Sequence, residues 1–176
     1  HPRMSHYAEI SHQIHLICEE YSDRIEYVSL DEGYIDVTFT EHLFGGADKI
    51  ALEIQRKVLE KTGLTCSVGV GYSMMSAKLS AGMIKPLGFF NMDTREKWLE
   101  VMSPKPVEKI SGIGDKTQER LNALDIYTIK DLQDADPFIL KREFKKIWSE
   151  CLHAVAWGYD EREIISEYTE LSLRSA

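Results

Sequence analysis

Apolar residues recur at spacings of three and four from Met4 to Tyr21, through Tyr7, Ile10, Ile14, Ile17 and Cys18, and this period predicts a helix. Two β-rich runs follow, at Glu26–Leu30 and Tyr34–Phe39, and their closeness predicts a hairpin. His42 to Gly46 reads as a loop. Ala47–Lys61 places Ile50, Ile54 and Val58 on one helical face, with Gly63 as its C-terminal stop. Leu64–Val70 is short, apolar and β-branched, which predicts a buried strand. A helix over Ser73–Ile84 ends near Pro86, "LGFFNM" is a last short strand, and Asp93 with Glu96 forms a capping box for a helix through Leu99.

The order αββαβαβ predicts an α+β layer: a sheet containing antiparallel pairs, with helices on one side. "SPKPVEKI" then reads as a domain edge, and the boundary is placed near Ser103. Beyond Val107 the pattern is helical. Asp136 as N-cap and Pro137 at the first position open a long helix running to about Trp157.

Within the hairpin, "YVSLDEGYIDVT" sets Asp31 and Glu32 side by side at the break between strands. A polar turn explains such a pair, since Asp and Gly are ordinary turn residues. A cation site explains it too, because hard divalent ions take carboxylate oxygens from one or two side chains. Composition does not decide between them. The net charge of −8 speaks against a phosphate partner, yet residues 1–50 alone hold ten acids against three Lys or Arg, whereas residues 101–150 are balanced at nine each. The three cysteines, Cys18, Cys66 and Cys151, have no paired spacing and read as reduced, mostly buried residues. Glu9, His12 and His15 read as a solvated helix face rather than as metal ligands. No apolar run approaches the ~20 residues of a membrane helix and no leader opens the chain, so the expectation is a soluble, cytoplasmic protein without a membrane partner.

Two further clusters carry chemistry. In "KISGIGDKTQERLNALDI", Gly112 and Gly114 allow a tight backbone turn whose N–H groups open the next helix, with Lys116 in its first turn. That is the pattern of a helix-hairpin-helix holding a nucleic-acid phosphate, or else a Gly-rich turn between packed helices. In "SAKLSAGMIKPLG", Lys78 and Lys85 lie seven apart on similar faces of one helix. Lys85 at its end suits either a nucleotide phosphate or the helix dipole.

Taken in order, these motifs resemble the Y-family translesion DNA polymerases of the UmuC and DinB type. "YVSLDEGYIDVT" is similar to the family's catalytic segment, "GLTCSVGVG…AKLSAGMIKPLG" to its next motif, and "ISGIGDKTQERLNALDIYTIKDL" to its thumb hairpin. Asp125 stands where the family has glycine, and Leu87 where it commonly has asparagine. The resemblance implies a partial palm with a ferredoxin-like sheet over residues 1–103. A small helical thumb follows over 104–176, ending in the start of a linker to a little finger. It implies Asp31 and Glu32 as catalytic carboxylates binding Mg2+, Lys85 on the incoming nucleotide's triphosphate, and Gly112, Gly114 and Lys116 on the DNA backbone. The implied activity is two-metal, template-directed DNA synthesis past damaged bases in DNA repair and the SOS response. Its partners would be primer-template DNA, deoxynucleoside triphosphates and a sliding clamp. The family's first strand with its further aspartate, the fingers and the little finger are not matched, so the expectation is a palm-and-thumb piece, inactive alone, from an active parent. A non-enzymatic DNA-binding scaffold using the hairpin, or another nucleotidyl-transfer palm such as a cyclase, are the alternatives.

Overall fold

The computed structural model describes residues 3–166; the proposed start of a linker in 167–176 lies outside them. The protein is α+β. In chain order it runs α1 (Met4–Glu19), β1 (Ile25–Tyr27), β2 (Gly33–Ile35), α2 (Glu41–Phe44), α3 (Ala47–Thr62), β3 (Val68–Gly71), α4 (Met74–Met83) and β4 (Phe89–Met92). It continues with α5 (Arg95–Met102), a 3-10 turn at Val107–Lys109, α6 (Asp115–Asn122), α7 (Ile129–Asp134), α8 (Pro137–Phe144) and α9 (Lys146–Ala156). The strands form two two-stranded sheets, β1 with β2 and β3 with β4.

The chain divides into two compact units. Among the described residues, one holds 3–70, Ala81–Asn91 and 162–166; the other holds Gly71–Ser80 and Met92–Glu161.

In the first unit α1 and α3 enclose the core. Ile17, Tyr21, Ile50, Ile54 and Val58 are buried there, with Ile14, Ile35, Val37, Phe44, Cys66 and Val68 packed against them. Only the C-terminal part of the α1 stripe contributes: Met4 and Tyr7 are exposed. Tyr21 meets the edge of Phe44 at 5.0 Å between ring centroids. Its hydroxyl donates to Glu53 at 3.0 Å, so the ring is buried without stranding its polar end. The expected loop at His42–Gly46 is instead the short helix α2, closed by Gly45 at φ 84°. The expected strand at Leu64–Val70 is only β3: Leu64 is exposed and the strand is half-buried. Cys18 and Cys66 are partly buried, and burial, reinforced by the nearby Cys66 and Glu19, pushes the Cys18 thiol up to about 12. Cys151 is exposed, against expectation.

In the second unit two expectations on helix ends are corrected. The cap of α5 is Thr94, whose hydroxyl accepts from the Lys97 amide, rather than Asp93; the Asp93 carboxylate pairs with Lys97 at 2.8 Å. The expected long helix after Pro137 breaks into α8 and α9 at Lys145, which sits at φ 62° and ψ 159°, far from helical values. Asp136 does cap α8, accepting from the Phe138 amide at 2.8 Å. The segment after α9 folds back within this unit. Asp160 accepts from the Met75 amide at 2.8 Å and so satisfies a free N–H at the start of α4.

Candidate functional site

The hairpin presents the acidic pair at its tip. Strand pairing ends at Tyr27 opposite Gly33, and the Val28 and Ser29 amides both donate to the Glu32 carbonyl, at 2.9 and 3.1 Å. This closes a tight loop with Asp31 and Glu32 exposed. The Ser29 hydroxyl donates to the Asp31 carboxylate at 2.6 Å and restricts its rotamers. Gly33 sits close to its neighbours: a Cβ there would lie 3.1 Å from the Glu26 carbonyl oxygen and 3.3 Å from the Tyr27 ring, so a side chain needs them to give by a few tenths of an ångström.

The hairpin base is locked by Asp36. Its amide donates to the Arg24 carbonyl at 2.9 Å, its carboxylate pairs with Arg24 at 3.1 Å, and its carbonyl accepts from the Ser22 hydroxyl at 2.7 Å. Desolvation raises this carboxyl, but hydrogen bonds from the Thr38 side chain and amide together with the Arg24 charge outweigh it. The group therefore titrates below the usual aspartate range.

Adjacent carboxylates with exposed hard oxygens fit part of a divalent-ion donor set. Among the described residues no group of three or more His, Cys, Asp or Glu side chains is placed to hold a metal. The Glu9, His12 and His15 alternative goes the same way: the His15 ring stacks on Tyr27 at 3.5 Å and its Nε2 lies 3.1 Å from the Ser11 hydroxyl.

Lys85 belongs to the same unit as the hairpin. Helix α4 ends at Met83, so Lys85 lies past the helix rather than on its face, exposed on the turn 84–88. That turn is pinned at Gly88. Its amide donates to the Ser67 hydroxyl at 3.3 Å, and its carbonyl accepts from the Gln55 side chain at 2.8 Å and the Val68 amide at 3.0 Å. A Cβ on Gly88 would fall 1.3 Å from the Ile84 carbonyl oxygen, so no other residue fits. Gln55 also donates to the Cys66 carbonyl at 3.0 Å. Sequence reasoning missed Ser29, Gln55 and Ser67, the supports of both features. Each is a lone polar residue without a motif, and only the fold brings Gln55 and Ser67 to Gly88.

Gly112, Gly114 and Lys116 lie together in the other unit. The 3-10 turn leads to Gly112 at φ 100°, and the buried Ile110 and Ile113 anchor the turn from both sides. Gly114 starts α6 in an extended conformation, and no side chain caps the helix. Its carbonyl accepts from the Thr117 and Gln118 amides, at 2.9 and 3.0 Å. Nothing lies within 4 Å of a Cβ built at either glycine, so the backbone here faces open space. Lys116 is exposed in the first turn. Asp115 beside it already complements the helix dipole and tempers the pull on an anion.

Comparison with known proteins places this arrangement. The fold is that of Y-family DNA polymerase domains: DinB from Sulfolobus solfataricus superposes with a TM-score of 0.83 at 27% identity, over 93% of this chain and 48% of that one. An insertion ternary complex of Dbh DNA polymerase matches at 0.82 and 28%, over 92% and 47%. Residues 1–82 match the impB/mucB/samB family model. DNA polymerase IV of Ectopseudomonas mendocina is 39% identical over 163 residues, 93% of this chain and 46% of that protein. DNA polymerase IV of Pseudomonas fluorescens is 37% identical over 172 residues, 98% and 48%. The chain thus spans about half the length of the curated relatives it matches. Among the described residues, no helix is long and apolar enough to cross a membrane.

Proposed function

We propose that this chain is the greater part of the palm (1–103, on a ferredoxin-like plan) and the thumb (104–176, with a helix-hairpin-helix) of a translesion DNA polymerase. In a polypeptide of its relatives' full length it would extend a primer along a template from deoxynucleoside triphosphates. The observation that carries the reading is the tip geometry: Asp31 and Glu32 exposed together on a closed hairpin, with Asp31 oriented by Ser29. Asp31 and Glu32 would hold Mg2+. Bound ions of this kind favour the ionised primer hydroxyl and stabilise the charge on the leaving pyrophosphate. Lys85, carried on the turn that Gly88 pins, contributes a point charge to the triphosphate. Gly112 and Gly114 let a DNA phosphate reach the start of α6, with Lys116 beside it.

The two carboxylates supply only part of a two-ion donor set, so the 176-residue chain alone is expected not to extend a primer in Mg2+. In the longer polypeptide, Asp31→Ala should abolish extension and leave duplex affinity unchanged. Extension by that variant would refute the metal role. A non-enzymatic DNA-binding reading draws on the absence of a three-donor cluster among the described residues. Salt-dependent duplex binding indifferent to Mg2+, with no extension by the longer polypeptide, would favour it.

A further inference from the structure

The second unit contains a pocket of about 470 Å³ that the proposed polymerase chemistry does not use. Its wall is largely apolar, with Pro137 and Leu140 from α8, Ala154 from α9, and Trp157 and Tyr159 beyond it. A volume of this size suits one anchored group rather than a chain of bases. Arg95 stands in the wall. Its Nε donates to the Trp157 carbonyl at 2.8 Å, and its guanidinium lies 4.2 Å from the Tyr159 ring centroid and 5.9 Å from that of Trp157. Two rings and a carbonyl fix the guanidinium, and among the described residues no carboxylate pairs with it.

The other polar groups are already engaged. Lys141 pairs with Glu150 at 3.5 Å, and His153 Nε2 lies 3.3 Å from the Gln133 carbonyl oxygen. The pocket therefore offers one pre-oriented, unneutralised cation beside an apolar recess. The helices that build it also carry Phe138 and Ile147, which are 82% and 84% exposed.

We infer that this pocket docks a peptide of another protein, one presenting an apolar side chain next to a carboxylate. The carboxylate meets the free fork of Arg95 while the side chain fills the recess. A nucleic-acid strand fits less well: a single free arginine matches one carboxylate rather than a run of phosphodiesters.

The test is a titration of the 176-residue chain, followed by amide and indole NMR, with the capped peptides acetyl-Leu-Phe-Asp-amide and acetyl-Leu-Phe-Asn-amide. The Asp peptide should shift the Trp157 and His153 signals and bind at least about fivefold more tightly than its Asn counterpart. Arg95→Gln should remove that preference. Glu150→Gln is an exposed change that removes a like charge and frees Lys141. It should tighten the Asp peptide by about two- to threefold even if the Arg95 variant does not fold. Equal affinity for the two peptides, no saturable shift, preferential movement of the same signals by a thymidine hexanucleotide, or self-association of the chain through this face would each overturn the assignment.

Discussion

The Gln55 side-chain amide donates to the Gly88 carbonyl at 2.8 Å, joining α3 to the turn that carries Lys85. The same nitrogen donates to the Cys66 carbonyl, so one side chain serves two backbone acceptors near the start of β3. Gln55→Leu keeps the bulk and removes both donations. Gly88 retains its bond from Val68, whereas the partly buried Cys66 carbonyl loses this donor. The loss expected in urea unfolding is about 1–2 kcal/mol. A change within a few tenths of a kcal/mol would show that these bonds do not hold the turn.

Two departures from the family pattern fall on left-handed backbone. Leu87 has φ 59° and Asp125 has φ 59°. An L-residue held there costs roughly 1–2 kcal/mol, less for Asn and Asp and nothing steric for Gly. Leu87 is half exposed, so little packing is at stake. Leu87→Asn should stabilise the protein by about 0.5–1 kcal/mol, and Asp125→Gly by a smaller amount because glycine also frees the unfolded chain. Denaturation midpoints that fall in either variant would contradict this account.

These positions mark where the sequence was legible. Left-handed Gly63 ends α3 as expected, because glycine announces such a conformation. Lys145 adopts an equally non-helical backbone with no glycine or proline to announce it, and the break between α8 and α9 stayed hidden. The α2 helix had a readable stop in Gly45, but four residues are too few to show a period. At the candidate site the acidic pair and the Gly-rich turn were visible because they are contiguous. What orients Lys85 was not, since Gln55, Ser67 and Gly88 are brought together only by the fold.

Acid should loosen the hairpin through Asp36. Its carboxyl titrates below the ordinary aspartate value of about 3.9 because Thr38 and Arg24 favour the charged form over desolvation. A depressed folded-state value means that the unfolded chain binds the proton first as pH falls. The stabilisation is therefore present above about pH 4 and disappears as pH drops through the lower folded value. Asp36→Asn should lower stability at pH 7 and flatten this part of the acid limb. An Asn variant whose stability falls as steeply as the parent's below pH 4 would assign the acid sensitivity to other carboxylates.

The two glycines of the turn before α6 allow folding and binding to be separated. Gly112 sits at φ 100°, where any side chain is strained although space is open, so Gly112→Ala should cost stability by about 1 kcal/mol or more. Gly114 has φ −90° and ψ 176°, an ordinary extended conformation, and a Cβ there meets nothing within 4 Å. Gly114→Ala should therefore leave stability nearly unchanged while placing a methyl where a phosphate would approach the first turn of α6. Duplex affinity measured by fluorescence anisotropy should fall for Gly114→Ala. In Lys116→Ala the slope of log affinity against log salt should shrink by about one. If Gly114→Ala binds duplex as tightly as the parent while folding normally, the phosphate does not seat against this turn, and α6 takes no direct part in holding DNA.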